Sequence, residues 1–228
     1  MRQHALARAA FLSLMPESSL PAAREAASRW DARLARRLVT PLRHSRITPN
    51  HLTSARLLFG IAAAGAFTRG GYGWMNCGAL LLVISNFLDH TDGELARISG
   101  KSSRLGHWYD LISDTAVTIL LFTAIGVGVA SSSNRVLGLS PLALGALAGT
   151  AVALIFLLRM RIEALGGKAA SNQGAVAGFE TEDVLYLLPL MTLCNAELPF
   201  LVAAAIGAPL FAVWVVRDYR RARRAYPR

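Results

Sequence analysis

The chain has 228 residues, 54% of them hydrophobic, yet it carries a formal net charge of +10. With a mean hydropathy of +0.40, this is a combination that a soluble core rarely shows and that a membrane protein with basic flanks does. The basic balance needs no nucleic acid to explain it, because arginines beside membrane spans orient a protein and hold anionic lipid headgroups.

In chain order, residues 1–20 read as a cytoplasmic tail: the apolar patch at 9–15 is short for a signal peptide, and no clear small-residue cleavage site follows it. Between 21 and 37, Ala23, Ala27, Trp30 and Leu34 recur at helical steps, with Leu38 continuing the series. Arg24, Arg29, Arg33, Arg36 and Arg37 fill most other positions. This is the pattern of an N-terminal amphipathic helix lying in the membrane interface with Trp30 as its anchor. A soluble helix packed on the protein's own cytoplasmic face fits the same pattern. Pro41 ends it. Thr48-Pro49-Asn50-His51-Leu52-Thr53 then opens the first apolar run, with Pro49 fixing the entry and Asn or Thr capping the helix start.

Judged against the roughly 20 residues needed to cross a bilayer, the apolar runs predict an all-α polytopic membrane protein of about six transmembrane helices. These spans lie near 52–67, 74–88, 111–130, 137–158, 184–194 and 198–216, the second continuing as helix past the membrane edge and the fifth short as drawn. With both termini in the cytoplasm, 22 of the 24 Lys and Arg fall inside and only Arg69 and Arg135 outside. The positive-inside rule favours this orientation, in an inner membrane. Residues 1–47 are then tail and juxtamembrane helix, 48–217 the transmembrane domain and 218–228 a basic cytoplasmic tail. Cys77 and Cys194 read as buried thiols acting as small apolar residues, a disulfide being the alternative.

One polar stretch interrupts the apolar pattern. Asp89 and Asp92 are three residues apart, and Asp110 and Asp114 four apart, so on two helices each pair projects from one face. Facing each other, they bring four acids together, and the repulsion must be relieved by protons, arginines or metal ions. Carboxylate oxygens suit a hard divalent ion, Mg²⁺ or Mn²⁺, better than zinc. On the predicted topology the acids lie at the cytoplasmic ends of the second and third spans.

The pattern D-x-x-D-G-x-x-A-R, eight residues, G-x-x-x-D-x-x-x-D runs from Asp89 to Asp114 with every fixed position filled. It resembles the signature of the CDP-alcohol phosphatidyltransferase family. The resemblance implies a two-metal site held by Asp89, Asp92, Asp110 and Asp114, with Asp114 also the base that takes the acceptor hydroxyl's proton. It implies a CDP-linked lipid donor such as CDP-diacylglycerol, an alcohol acceptor, release of CMP, and a homodimer. By the same resemblance Asn50, His51, Leu52 and Thr53 line the donor pocket, Arg97 meets the donor phosphates, and Ser103 stands near the donor. Gly93 and Ala96 let cytidine approach the helix backbone, and Gly106 lets two helices come close. His90, Glu94 and His107 occupy variable positions and read as packing or solvated side chains.

The resemblance leaves the acceptor open. The amphipathic lead-in, with Arg159 and Arg161 after the fourth span, leans towards a phosphorylated polyol such as glycerol 3-phosphate or inositol phosphate; the bland reading of those arginines is snorkelling anchors. Glu182 and Asp183 read as helix-start acids. Two other classes compete: a non-catalytic or transport membrane protein that uses the acidic cluster to bind cations, which as an ion carrier predicts carboxylates near mid-membrane, and a non-enzymatic lipid-binding or scaffold relative, which predicts a lost motif aspartate.

Overall fold

A computed structural model describes residues 37–45, 47–100, 104–131, 135, 136, 138–166 and 187–225. The described residues are all-helical, with no strands. After a 3-10 turn at Thr40–His44 come α1 (Pro49–Arg69), α2 (Tyr72–Ser99), α3 (Arg104–Ala130), α4 (Pro141–Gly166), the short α5 (Leu188–Leu193) and α6 (Glu197–Ala225). The 21–37 amphipathic segment except Arg37, Ser103, and Glu182 with Asp183 lie outside the described residues.

Local chemistry explains the helix ends. Thr48 is the extended N-cap of α1 with Pro49 in the first turn, where its missing N–H costs nothing. The other side of this cap comes from His51, whose Nδ1 accepts the Thr48 N–H at 3.2 Å. As expected, α2 runs on through the aspartate motif. It stops at Gly100, in the left-handed conformation at φ 67° with its N–H on Ala96 O, a position that favours glycine.

The helices pack as a bundle whose direction is read from paired residues. Near the start of α1, Thr53 meets Asp92 of α2, while Phe67 near its end meets Gly78 near the start of α2. Those two helices are therefore antiparallel. Phe67 O also lies against Gly128 near the end of α3, so α1 and α3 run parallel. Gly145 of α4 packs on Phe122 O, and Gly126 of α3 on Pro141 O, which makes α4 antiparallel to α3. Along α4 and α6, Ile155 and Ile162 share a cluster with Ala212 and Val215. The starts of α1 and α3 and the ends of α2 and α4 thus face one end of the bundle.

The core is built from Ala63, Phe67, Leu82, Leu121, Phe122, Ile125, Leu144, Ala148 and Leu201, among others. Many large apolar side chains instead point outward, including Leu58, Leu80, Ile112, Leu147 and Leu210. That pattern suits lipid rather than water. Among the described residues three helices, Leu105–Ala130, Pro141–Ile162 and Glu197–Ala225, are long and apolar enough to cross a membrane. Of the other three predicted spans, those at α1 and α2 are helices of 21 and 28 residues whose apolar character is diluted by the polar groups described below. At the fifth, only α5 and its flanks are described.

The cysteines depart from expectation. Cys77 and Cys194 are both unpaired and exposed rather than buried. On α2 the core-facing register is taken by Met75, Gly78, Ala79 and Leu82, which turns Cys77 outward, and Cys194 sits in the C-cap beyond α5.

Close helix contact rests on particular glycines. A Cβ at Gly145 would meet Phe122 O at 2.2 Å, whereas one at Gly65 would meet nothing within 4 Å. Gly145→Ala is expected to destabilise by about 1–3 kcal/mol by forcing α3 and α4 apart. Gly65→Ala should be neutral or stabilising by up to about 1 kcal/mol through helix propensity. Thermal unfolding of the two variants in detergent checks the contrast.

Candidate active site

Three helices bring polar groups to the shared end of the bundle. α2 carries Asp89 and Asp92 on one face by their three-residue spacing, and α3 carries Asp110 and Asp114 one turn apart. Single carboxylate oxygens of Asp89, Asp92 and Asp110 lie within 4.8 Å of one another. Asp114 stands beside this triad, its Oδ1 3.6 Å from Arg56 Nη1.

The third helix supplies what the acids need. Arg56 of α1 has a side chain only 4% exposed. Its Nη1 donates to Asp89 Oδ1, and its Nη2 donates to the backbone O of Asp110 at 3.2 Å. Nη2 also lies 3.3 Å from Asp110 Oδ1. One turn earlier Thr53 Oγ1 donates to Asp92 Oδ2 at 2.8 Å and lies 3.2 Å from Pro49 O. Ser85 of α2 ties the frame together by donating to Arg56 O at 3.0 Å. At the rim Ser54 and Tyr109 join α1 to α3 through their hydroxyls at 3.0 Å.

The arrangement fits a hard cation. Every donor in the triad is a carboxylate oxygen, and Asp110 Oδ1 is buried without a hydrogen bond despite its nearness to Arg56. Asp92, on the part of α2 beyond the predicted 74–88 span, is also under stress. Burial pushes its carboxyl up to about 7 and the negative charge of Asp89 adds to this, while the hydrogen bond from Thr53 opposes it.

The other predicted site residues divide. Thr53 is buried inside the cluster. Asn50 and His51 are exposed at the start of α1 and Leu52 is half-buried. Next to Asp92, Gly93 has open space where a Cβ would stand, and Ala96 is half-buried one turn before Gly100. Arg97 is largely exposed, with Nη1 on Glu94 Oε1 at 2.5 Å. Gly106 lies in the first turn of α3, four residues before Asp110. His90 is bonded to Asn86 O at 2.9 Å and His107 is exposed, so neither joins the triad. At the end of α4, Arg159 lies over the Phe211 ring at 5.6 Å.

Sequence reading missed Arg56, which it counted only among the inside charges. The available signal was an ionisable residue within a predicted span, three residues after Thr53 and so on the same helix face.

These features define a helical integral membrane protein with a carboxylate centre where three helices meet. The family profile of the CDP-alcohol phosphatidyltransferases matches residues 46–217, and the chain belongs to that family. Members of that family transfer a phosphatidyl group from a CDP-alcohol with the help of a divalent metal, and the Asp triad is placed where such a metal would be held. A similar protein is the bifunctional IPC transferase and DIPP synthase of Aquifex aeolicus, 30% identical over 89 residues. The matched stretch is 39% of this chain and 20% of that protein.

Because Asp92 must lose its proton to ligate a cation, divalent affinity should fall as pH drops below about 7, towards tenfold per pH unit for one displaced proton. Thr53→Val removes the hydrogen bond that favours the carboxylate and should move that fall to higher pH. Mn²⁺ titration calorimetry from pH 5.5 to 8.5 reads both effects.

Proposed function

We propose that this protein moves a phosphatidyl-type group from CDP-diacylglycerol to a phosphorylated polyol, releasing CMP. The observation that carries the reading is the convergence of Asp89, Asp92 and Asp110 within 4.8 Å in a chain whose family membership fixes the reaction class. Asp89, Asp92, Asp110 and Asp114 would hold two divalent ions, Mg²⁺ or Mn²⁺. Ions bound there neutralise the donor's diphosphate and stabilise the entering and leaving oxygens.

The chain's own residues supply the rest. Asp114, on the edge of the triad, accepts the proton of the acceptor hydroxyl. The freed oxygen bonds to the lipid-side phosphorus, the bond from that phosphorus to the bridging oxygen breaks, and CMP leaves with that oxygen. Gly93 and Ala96 leave room for cytidine against α2, and Arg97 offers its guanidinium to the donor phosphates. Asn50 to Thr53, Ser103 and Gly106 complete the donor side. Arg159 and Arg161, at the end of α4 and thus at the site end of the bundle, support an anionic acceptor.

The membrane setting follows the same reading. Six spans of an inner membrane place both termini and the acids in the cytoplasm, where nucleotide-linked donors are made, and two copies pair as a homodimer. The distribution of Lys and Arg supports this orientation.

Purified protein in detergent with CDP-diacylglycerol and Mg²⁺ is expected to release CMP with one acceptor among glycerol 3-phosphate, inositol 1-phosphate, serine and phosphatidylglycerol. Release with serine or phosphatidylglycerol alone overturns the polyol phosphate assignment. Asp114→Asn should lower turnover by at least about a hundredfold while donor binding persists, whereas Asp89→Asn should lose metal and donor together. Substantial turnover by Asp114→Asn removes it as the base.

A further inference from the structure

Arg56 has no part in the chemistry above, yet it is the most enclosed charge in the centre. It reaches the acids from a different helix than any of them. Its two terminal nitrogens divide the work: Nη1 meets Asp89 of α2 and lies 3.6 Å from Asp114 of α3, while Nη2 lies 3.3 Å from Asp110 of α3 and donates to that residue's backbone. The fourth acid, Asp92, is held by Thr53, one turn away on the same face of α1. A planar fork can bridge two helices in this way where the single point charge of lysine cannot.

We propose that Arg56 is the internal counter-cation of the carboxylate centre: a positioning residue that holds Asp89, Asp110 and Asp114 together when no metal is bound. Metal and guanidinium then relieve the same repulsion. Each is worth more when the other is absent, so their contributions to stability are antagonistic. A residue that merely packs would be worth the same with or without metal. The antagonism rests on the metal-site reading above; the counter-cation role does not.

The test uses the full chain in detergent, with thermal unfolding in EDTA and in saturating Mn²⁺ for the wild type, Arg56→Gln, Arg56→Lys, Asp110→Asn and the double variant Arg56→Gln/Asp110→Asn. In EDTA, Arg56→Gln should lower the Tm by about 5–10 °C, the scale of breaking a partly buried ion pair. Mn²⁺ should recover at least half of that loss, and Arg56→Lys should fall between Gln and wild type. In EDTA, Asp110→Asn should destabilise the wild type but raise the Tm of Arg56→Gln, because removing a negative charge helps only when its cation is gone.

An Asp110→Asn effect of the same sign in both backgrounds overturns the proposal, and so do equal losses for Arg56→Gln in EDTA and Mn²⁺ when the wild type itself responds to Mn²⁺. If Arg56→Gln does not fold, recovery of a folded double variant supports the proposal and failure to recover it overturns it. A wild type whose Tm and calorimetry show no response to Mn²⁺ rejects the metal-site reading and the antagonism with it, and the cycle in EDTA still decides the role of Arg56.

Discussion

Four carboxylates brought to one end of a helical bundle repel one another, and the buried guanidinium of Arg56 lies within 3.6 Å of three of them. Much of the bundle is arranged around that balance. For the guanidinium to reach both pairs, α1 must lie against α2 and α3 at once, and the start of α1 must meet the end of α2 and the start of α3. An antiparallel α1 and α2 followed by an α3 parallel to α1 is the connection that achieves this with short turns. Small residues make the approach possible: Gly60 of α1 faces Val117 of α3, and Gly128 of α3 lies on Phe67 O.

The same constraint explains why the helices differ in apolar character. Leu105–Ala130, Pro141–Ile162 and Glu197–Ala225 present long apolar lengths, and their outward side chains suit acyl chains. By contrast α1 and α2 carry Thr53, Arg56, Ser85 and Asp92 buried, because each of these groups has a partner on the neighbouring helix. Buried polar groups are tolerated where they satisfy one another. Where satisfaction is incomplete, at Asp110 Oδ1, a bound cation would supply the missing partner.

A centre of this kind suits a reaction whose difficulty is charge. Moving a phosphatidyl group from a nucleotide diphosphate concentrates negative charge at phosphorus, and positioned cations supply most of the needed stabilisation. The fold answers with acids held at fixed spacing, one guanidinium among them, and open space beside Gly93. The region shared with the Aquifex aeolicus protein covers 39% of the chain, whereas the family profile spans 46–217.

Much of this was legible in the sequence. Spacing alone put Asp89 with Asp92 and Asp110 with Asp114 on helix faces, the fixed frame from Asp89 to Asp114 identified the family, and apolar runs located all four long helices that follow the α1 entry. Those are local features, set by a period of 3.6 residues and by the avoidance of unsatisfied backbone in lipid. Three things were decided only by tertiary packing. Cys77 faces outward because the neighbouring register on α2 is occupied by core residues. The triad gathers Asp89, Asp92 and Asp110 while Asp114 stands at its edge, a consequence of how α2 and α3 meet. Arg56, 33 residues before Asp89 and 54 before Asp110, becomes the partner of both only when α1 folds against them. Helical spacing reports which residues share a face, and it carries no information about which distant charge that face will meet.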